Sequence, residues 1–331
     1  MASATENCAL VSKMRYLGYG AVLALAGCTG LQSQAYAPAT IASPAAQPAR
    51  AGSWMASDAK KLDLLYVSDY QTDDVYAYSY PQGKLSGVLA GILKNFPLQT
   101  GICADRAGDV FVRDSLHSSV LEYAHGGTKL LATLLDPNEY PYSCATDPKS
   151  GALAVINLES ISGFGGVAIY KRARGAPVQY SFGFIYKYYF GAYDDRGDLF
   201  VDASYDVPSE PVALLEFPRG ATGLQSVNIS QAIALPGGVG WDGEHLDIAD
   251  SKSSIIYQFT VSGGNATEVG SMQLRQSNYL AQYVLSGTSV VGANFRGHDV
   301  AFWNYPAGGT PTKKITGLGF PFGVALSKAL K

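Results

Sequence analysis

The sequence predicts an all-β fold, a six-bladed β-propeller, and three observations predict it. The composition is apolar and weakly charged, two columns of strand-like segments recur with one period, and turn residues separate these segments. Hydrophobic residues make up 47% of the 331 residues and charged residues only 15%, against about 25% in an average soluble protein. A chain of this length and apolar content can bury a large core.

Two columns of strand-like segments define the repeat. The first column consists of LLYVSD, DVFVRD, ALAVIN, DLFVDA, HLDIAD and SVVGAN, with Val67, Val112, Val155, Val201, Ile248 and Gly292 in register. The second column ends on an aromatic residue, at Tyr78, Tyr123, Tyr170, Phe217, Phe259 and Trp303. Both columns recur every 42 to 47 residues, a period typical of propellers in which each repeat is one four-stranded blade.

Each repeat contains four strands, A to D. Strand A is a short segment such as TGICAD, and a turn rich in Asp and Gly leads to strand B. The two columns are strands B and C, and a second glycine-containing turn leads to strand D. Strand A is missing before Leu62, but PFGVALS (321–327) matches it, so we expect the C-terminal strand to close the first blade and protect its edge. The predicted blades are 62–97 with 321–327, 98–140, 141–187, 188–235, 236–278 and 279–320.

These repeats resemble six-bladed propellers of the NHL-repeat and SMP-30/gluconolactonase-like type. The resemblance rests on strand B endings such as Val67-Ser68-Asp69 and Ile248-Ala249-Asp250, each followed by a polar loop and a strand ending in an aromatic residue. It covers residues 61–331 and implies the fold more strongly than a function. Lactonases and lyases of this type bind a divalent metal on a loop face, so the resemblance makes Ca or another divalent metal a possible cofactor.

The N-terminal segment predicts export and lipid attachment. Lys13 and Arg15 precede an apolar run (16–27), which is too short to span a bilayer and is typical of a signal peptide. Residues 25–28, ending at Cys28, resemble the lipobox of bacterial lipoproteins, in which the cysteine is lipidated. The alternative is an ordinary secretory signal with a chance cysteine. Translation could begin at Met1 or at Met14.

Three regions follow from this segment. Residues 1–28 are the predicted lipoprotein signal, residues 29–60 an Ala-, Pro- and Ser-rich flexible tether, and residues 61–331 the propeller. The expected location is the bacterial cell envelope, with the protein anchored to a membrane through lipid on Cys28, at the outer membrane or facing the periplasm.

Two cysteines remain for the propeller. Cys103 and Cys144 occupy nearly matching places in successive repeats, so in an oxidising compartment they are a disulfide candidate. Closing a loop of about 40 residues contributes roughly 4 kcal/mol in the chain-entropy model. A phase difference of one residue relative to Asp105 and Asp147 leaves open the alternative of two buried thiols.

Polar residues follow strand B in most blades. In a propeller the B-to-C and D-to-A connections lie on one face, so we expect side chains from neighbouring blades to meet there. A sector of three blades carries candidate catalytic or metal-binding residues, since imidazole and carboxylate groups bind divalent metals or act as an acid and base pair: Asp69, Asp114, His117, Asn294, His298 and Asp299. The alternative is that they shape the loops by accepting backbone N–H bonds or are solvated.

Aromatic residues cluster at the D-to-A connections of the same face. Exposed aromatic rings can stack against sugars or peptides, and the candidates on this ligand face are Tyr140, Tyr142, Tyr186, Tyr188, Tyr189 and Phe190. The alternative role for such large side chains is packing between blades.

The functional prediction is a membrane-anchored, extracytoplasmic binding module or scaffold for a protein, peptide or glycan. The alternative is a metal-dependent hydrolase or lyase of the lactonase type. The net charge is −3, and no long run of Lys or Arg exists, so the electrostatic signature of a nucleic-acid-binding protein is missing.

Overall fold

The chain is built of β-strands throughout the part that the computed structural model describes, residues 39–41, 52–93, 100–206 and 210–330. The predicted signal segment with Cys28 lies outside the described residues. Short 3-10 turns occur at Ala59–Lys61, Lys171–Ala173 and Phe295–Gly297. Among the described residues, no helix has the length and apolar character needed to cross a bilayer.

The described strands are numbered in chain order. They are β1 (Ala39–Ile41), β2 (Trp54–Met55), β3 (Leu64–Asp69), β4 (Asp74–Ser79), β5 (Leu85–Leu89), β6 (Ile102–Ala104), β7 (Val110–Asp114), β8 (Ser119–Tyr123), β9 (Leu130–Leu135), β10 (Glu139–Thr146), β11 (Leu153–Ser160), β12 (Gly166–Tyr170), β13 (Val178–Tyr180), β14 (Ile185–Tyr193), β15 (Leu199–Tyr205), β16 (Ala213–Phe217), β17 (Gln225–Ile229), β18 (Val239–Trp241), β19 (Leu246–Asp250), β20 (Ile255–Ser262), β21 (Asn265–Gln273), β22 (Leu280–Ser286), β23 (Ser289–Asn294), β24 (Asp299–Asn304), β25 (Gly308–Ile315) and β26 (Pro321–Ser327).

These strands form five sheets in a propeller-like arrangement. Sheet 1 has the order β26-β3-β4-β5-β2, sheet 2 is β6 to β9, and sheet 3 is β10 to β13. Sheet 4 has eight strands in two antiparallel halves, 4a (β14 to β17) and 4b (β18 to β21), and sheet 5 is β22 to β25 with β1 at its outer edge. The two halves of sheet 4 are joined by two parallel residue pairs between β17 and β21.

The C-terminal strand completes sheet 1, as the sequence predicts. β26 pairs antiparallel with β3, from Pro321 opposite Asp69 to Ser327 opposite Leu64. Sheet 1 is therefore assembled from both ends of the propeller region, and this pairing closes the ring of sheets.

Buried apolar clusters lie between each pair of neighbouring sheets or halves. On β3, Tyr66 packs toward sheet 2, whereas Leu65 and Val67 pack toward sheet 5. The other clusters lie between sheets 2 and 3, sheet 3 and half 4a, the two halves, and half 4b and sheet 5. Because β3 is covered on both sides, all six of its residues are buried, and residues 64–67 are a continuous apolar run rather than an alternating pattern.

The turns between the first and second strands of a sheet use the predicted Asp and Gly chemistry. Asp194 Oδ1 accepts the backbone N–H groups of Arg196, Gly197 and Asp198 at 2.8, 2.8 and 2.9 Å. Gly197 has a φ of +91°, which L side chains rarely adopt. The Asp-x-x-Gly sequence therefore fixes the hairpin.

Strands of sheets 1 and 5 occur upstream of residue 61, within the segment predicted to be a flexible tether. β2 pairs with the outer strand β5 of sheet 1, and β1 pairs in parallel with the outer strand β25 of sheet 5. Both short strands cover sheet edges, which would otherwise present unpaired backbone groups.

Connections lie on two faces of the disc. The loop face carries the connections between the second and third strands of each sheet and those between successive sheets. The turn face carries the connections between the first and second and between the third and fourth strands.

A disulfide joins the innermost strands of sheets 2 and 3. Cys103 on β6 and Cys144 on β10 have their Sγ atoms 2.09 Å apart and are 41 residues apart in sequence. Both residues are buried in the cluster between the two sheets.

Replacing both cysteines, Cys103→Ala with Cys144→Ala, should lower the free energy of unfolding by about 4 kcal/mol, because the unfolded chain loses a loop constraint of this length. Urea denaturation of the unreduced proteins measures the difference. Adding reductant should destabilise the wild type and leave the double variant unchanged. Equal stability of the two unreduced proteins would contradict the prediction.

Candidate binding surface

Asp69 is a structural residue of the loop face. Its carboxylate accepts backbone N–H groups from Gln71 at 3.0 Å, Gly319 at 2.6 Å and Phe320 at 2.9 Å. The side chain is fully buried. Asp69 therefore holds the segment that leads into β26 against β3, and its oxygens are engaged by the backbone.

Asp114 and His117 form a pair within their own loop. Asp114 Oδ2 lies 2.7 Å from His117 Nδ1, and Asp114 Oδ1 accepts the backbone N–H of His117 at 3.1 Å. The His117 side chain is 69% exposed. This geometry is an Asp-capped four-residue turn with a solvated imidazole.

The third group of predicted polar residues lies on sheet 5. Asn294 Nδ2 donates to Asp299 Oδ1 at 3.0 Å, and Lys314 Nζ lies 2.9 Å from Asp299 Oδ2. His298 Nδ1 contacts the carbonyl oxygen of Gly319, and its ring centroid lies 4.8 Å from that of Phe320.

The six predicted polar residues therefore do not form one metal or acid–base site. Each bonds to its own loop, to an adjoining backbone segment or to a neighbouring strand. Among the described residues, no three His, Cys, Asp or Glu side chains are grouped to hold a metal ion. The side chains present do not fit the divalent metal that the family resemblance implied.

Three of the six predicted ligand-face aromatics are buried and present no ring to solvent. Tyr142, Tyr188 and Phe190 are 7%, 0% and 3% exposed. The Tyr188 hydroxyl accepts the N–H of Phe182 at 2.8 Å, and burial raises the pKa of Tyr188 to about 12. Packing between sheets, the alternative considered for these residues, accounts for all three.

Two of these buried rings contribute to an aromatic plug at the centre of the loop face. The Tyr142 ring centroid lies 5.3 Å from Phe190, 5.5 Å from Phe322 and 5.6 Å from the half-buried Tyr189. Phe295 extends the plug, 5.9 Å from Phe322. These residues come from sheet 3, half 4a, sheet 1 and sheet 5, so the plug joins opposite sides of the ring.

β-Bulges in the innermost strands direct the plug residues toward the axis. On β14 the pairing register shifts between Tyr188 and Gly191, opposite Asp202. Asp202 Oδ1 accepts the N–H of Phe190 at 2.7 Å, and burial raises the pKa of Asp202 well above its usual range. On sheet 1, Ser68 fills the equivalent place and accepts the N–H of Gly323 at 2.8 Å. In both of these bulges a polar side chain thus supports the extra residue.

A central channel lies beneath the plug. Its volume is about 440 Å³, and it is lined by residues of β6, β10, β14, β18, β22 and β26. The lining includes the exposed turn-face residues Pro148, Asp195 and Lys328, so the channel opens on the turn face. At this opening Trp241 Nε1 donates to Asp195 Oδ2 at 3.1 Å. The channel is therefore closed on the face where the sequence predicted a ligand site.

Sheet 3 and half 4a extend beyond the other sheets on the loop face. Elsewhere the connection between the second and third strands has four residues, as between Asp69 and Asp74. In sheet 3 it runs from Asn157 to Gly166, and in half 4a from Ala203 to Ala213, with eight and nine intervening residues. The strands before these connections continue past the level of the plug, with Tyr140 opposite Glu159 and Ile185 opposite Tyr205.

This extension carries exposed apolar side chains, which we call the lip. Its residues and their exposed fractions are Tyr140 (38%), Ile161 (69%), Phe164 (48%), Phe184 (86%) and Tyr205 (39%).

Backbone and ring contacts join residues of the lip to their neighbours. Ile161 donates its N–H to the carbonyl oxygen of Asn138 at 2.8 Å, two residues before Tyr140 in sequence. The Phe164 ring lies 6.0 Å from the half-buried Tyr186, another of the predicted aromatics, in an edge-to-face arrangement. An exposed apolar patch of this kind, built from several large side chains, is typical of a protein–protein contact site.

Charges flank the lip. Lys187 Nζ lies 2.8 Å from Glu159 Oε1, which ties β14 to the end of β11. Burial, together with the nearby Asp136, raises the pKa of Glu139 to about 7. Near neutral pH the Glu139 carboxyl is therefore only partly ionised, which lowers the cost of covering this region with an apolar partner.

The prediction from sequence missed Ile161, Phe164, Phe184 and Tyr205, although the repeat spacing carried a signal. The interval from the first column to the second is 11 residues in four repeats, as from Val67 to Tyr78. It is 15 residues from Val155 to Tyr170 and 16 from Val201 to Phe217. Those two longer intervals are the two connections that form the lip.

Solved structures with the same fold include two that this chain resembles over most of its length. A chain from the crystal structure of a nidogen/laminin complex is 11% identical, with a TM-score of 0.66 over 81% of this chain and 100% of that chain. A protein of unknown function from Bacteroides caccae is 12% identical, with a TM-score of 0.61 over 81% of this chain and 99% of that chain. No protein-family model and no curated protein matches the sequence. At these identities the likeness shows a β-propeller fold and no more.

Replacing Asp69 with Ala should lower the free energy of unfolding by about 3 kcal/mol, because three backbone N–H groups lose their acceptor. Asp114→Ala is the matched variant from the same column and removes one such acceptor, so its effect should be smaller, about 1 kcal/mol. Thermal or urea unfolding measures both. A chelator should change neither variant nor the wild type, and a chelator-dependent loss of stability in the wild type alone would show that these residues bind metal.

Proposed function

We propose that this protein is a six-bladed propeller of the NHL-repeat type, anchored by lipid in the bacterial cell envelope, that binds a protein partner through the lip. The observation that carries the proposal is the cluster of exposed apolar side chains on two extended connections of the loop face.

The blade number follows from counting each half of sheet 4 as one blade. Halves 4a and 4b have the antiparallel order of sheets 2 and 3, and only two parallel pairs join them. Six apolar clusters separate six four-stranded units. These features support six blades, in agreement with the six repeats of both sequence columns.

The shape of the lip favours a protein partner over a small ligand. Small ligands bind in concave pockets, whereas the lip is a projection, and the plug fills the centre of the same face. Large exposed aromatic and aliphatic side chains such as Phe184 and Phe164 are suited to insertion into a partner's surface. The nidogen/laminin complex is an assembly of two proteins, which agrees with a protein-binding role for this architecture.

Site-specific photo-crosslinking tests the lip. A benzophenone amino acid is placed at Phe164 or at Phe184 in the full chain, expressed in the producing bacterium, and at the exposed Glu244 on the turn face of half 4b as the control. Protein adducts should form from the two lip positions and not from Glu244. Adducts only from Glu244, or equally from all three positions, would reject the lip as the binding surface.

The anchor is tested by metabolic labelling with an alkyne fatty acid. The full chain should incorporate the label, and Cys28→Ala should abolish incorporation, because Cys28 supplies the thiol that is acylated. Cys8→Ala is the matched control and should retain the label. Equal labelling of the Cys28→Ala variant and the wild type would exclude lipid attachment at Cys28.

A further inference from the structure

We propose that the turn face of sheets 1 to 3 docks on an anionic membrane surface, so that the lip on the opposite face points away from the membrane. The proposal rests on the lipid anchor of the proposed function. It adds the orientation of the disc and the side chains that set it, and three independent observations carry it: the distribution of cations, the scarcity of exposed carboxylates among them, and the direction in which the chain enters the fold.

Lys and Arg side chains are concentrated on one part of the turn face, the basic crescent. Its ten residues are all exposed and lie in the turns of sheets 1, 2 and 3: Lys60, Lys61, Lys84, Arg106, Lys129, Lys149, Lys171, Arg172, Arg174 and Lys328. Arg174 pairs with Glu122 and Lys328 with Asp63, at 2.6 and 3.1 Å. The other eight form no salt bridge with any described residue, so their charges are available to a partner.

Few carboxylates offset this charge. Five Asp residues lie in the same turns, at positions 58, 63, 105, 109 and 147, and only Asp58 is exposed. The carboxylate of Asp147 is hydrogen-bonded within its own turn, where it accepts the backbone N–H of Lys149 at 2.9 Å. The crescent therefore carries a net positive charge within a chain whose overall charge is −3.

The first described strand begins at its end nearer this face. β25 runs from the turn face to the loop face, and β1 pairs with it in parallel, with Ala39 opposite Lys313 and Ile41 opposite Ile315. The N-terminal end of β1 is therefore its end nearer the turn face. Ten residues separate Cys28 from Ala39, a segment that spans at most about 35 Å when fully extended. A lipid on Cys28 thus keeps the disc within a short distance of the bilayer.

Charge attraction then selects which face meets the lipid. Lys and Arg held near an anionic bilayer are attracted to its headgroups, and the attraction falls off within a Debye length. On the loop face, the exposed cations among the described residues are Lys252, Arg275 and Arg296, and they are spread over half 4b and sheet 5. Docking through the crescent leaves the lip in solution.

Vesicle co-sedimentation tests the proposal without the lipid anchor. Residues Pro38–Lys331 form one compact unit, so a chain that begins at Thr29 retains the propeller. This chain should bind vesicles that contain phosphatidylglycerol, should not bind pure phosphatidylcholine vesicles, and should be released by high salt. The variant Arg106→Glu, Lys149→Glu, Lys171→Glu should bind the anionic vesicles about tenfold or more weakly.

The matched control reverses the same number of charges on the other face. The variant Lys252→Glu, Arg275→Glu, Arg296→Glu should bind anionic vesicles within about twofold of the wild type if only the crescent touches lipid. Circular dichroism confirms that both variants are folded. Equal loss in both variants, or no preference of the wild type for anionic vesicles, would overturn the proposal.

A soluble polyanion distinguishes the other kind of partner. If polyaspartate binds the crescent while phosphatidylglycerol vesicles do not, the surface serves an acidic protein and the membrane proposal is wrong. Because these experiments use a chain without Cys28, their failure is separate from that of the fatty-acid labelling, and they leave the crosslinking test of the lip unaffected.

Discussion

Mutual coverage of apolar sheet faces is the constraint on which the structure depends. Each four-stranded unit has two apolar faces and cannot bury either one alone. Residues of β3 show the consequence, because Tyr66 packs against sheet 2 while Leu65 and Val67 pack against sheet 5. A linear array would leave two faces open, so the units must form a closed ring. The pairing of β26 with β3 closes it.

Ring closure also determines where function can lie. The innermost strands surround a channel, and bulges supported by Asp202 and Ser68 direct large side chains into its loop-face end. The second strands and their loops are occupied with fixing geometry, as the three N–H bonds to Asp69 show. The proposed binding surfaces lie in the parts that closure does not need, namely the extended connections of the lip and the exposed turns of the basic crescent.

The fold could be predicted from sequence because its constraint is periodic. Two columns with one spacing gave the all-β class, the strand order and the role of residues 321–327. The side-chain environments could not be predicted in the same way. A bulge shifts the register by one residue and so changes which face a side chain points to, which is why Tyr142 and Phe190 are buried while Tyr140 is exposed. His117 and His298 lie on the predicted face, but local Asp and backbone partners hold them in separate loops.

The aromatic plug has a consequence for transport through the disc. Tyr142, Phe190 and Phe322 seal one end of the channel with rings from different sheets, so a solute that enters at Trp241 and Asp195 meets a dead end. A molecule bound in the channel therefore contacts the innermost strands and the turn face, and does not reach the lip through the centre of the disc.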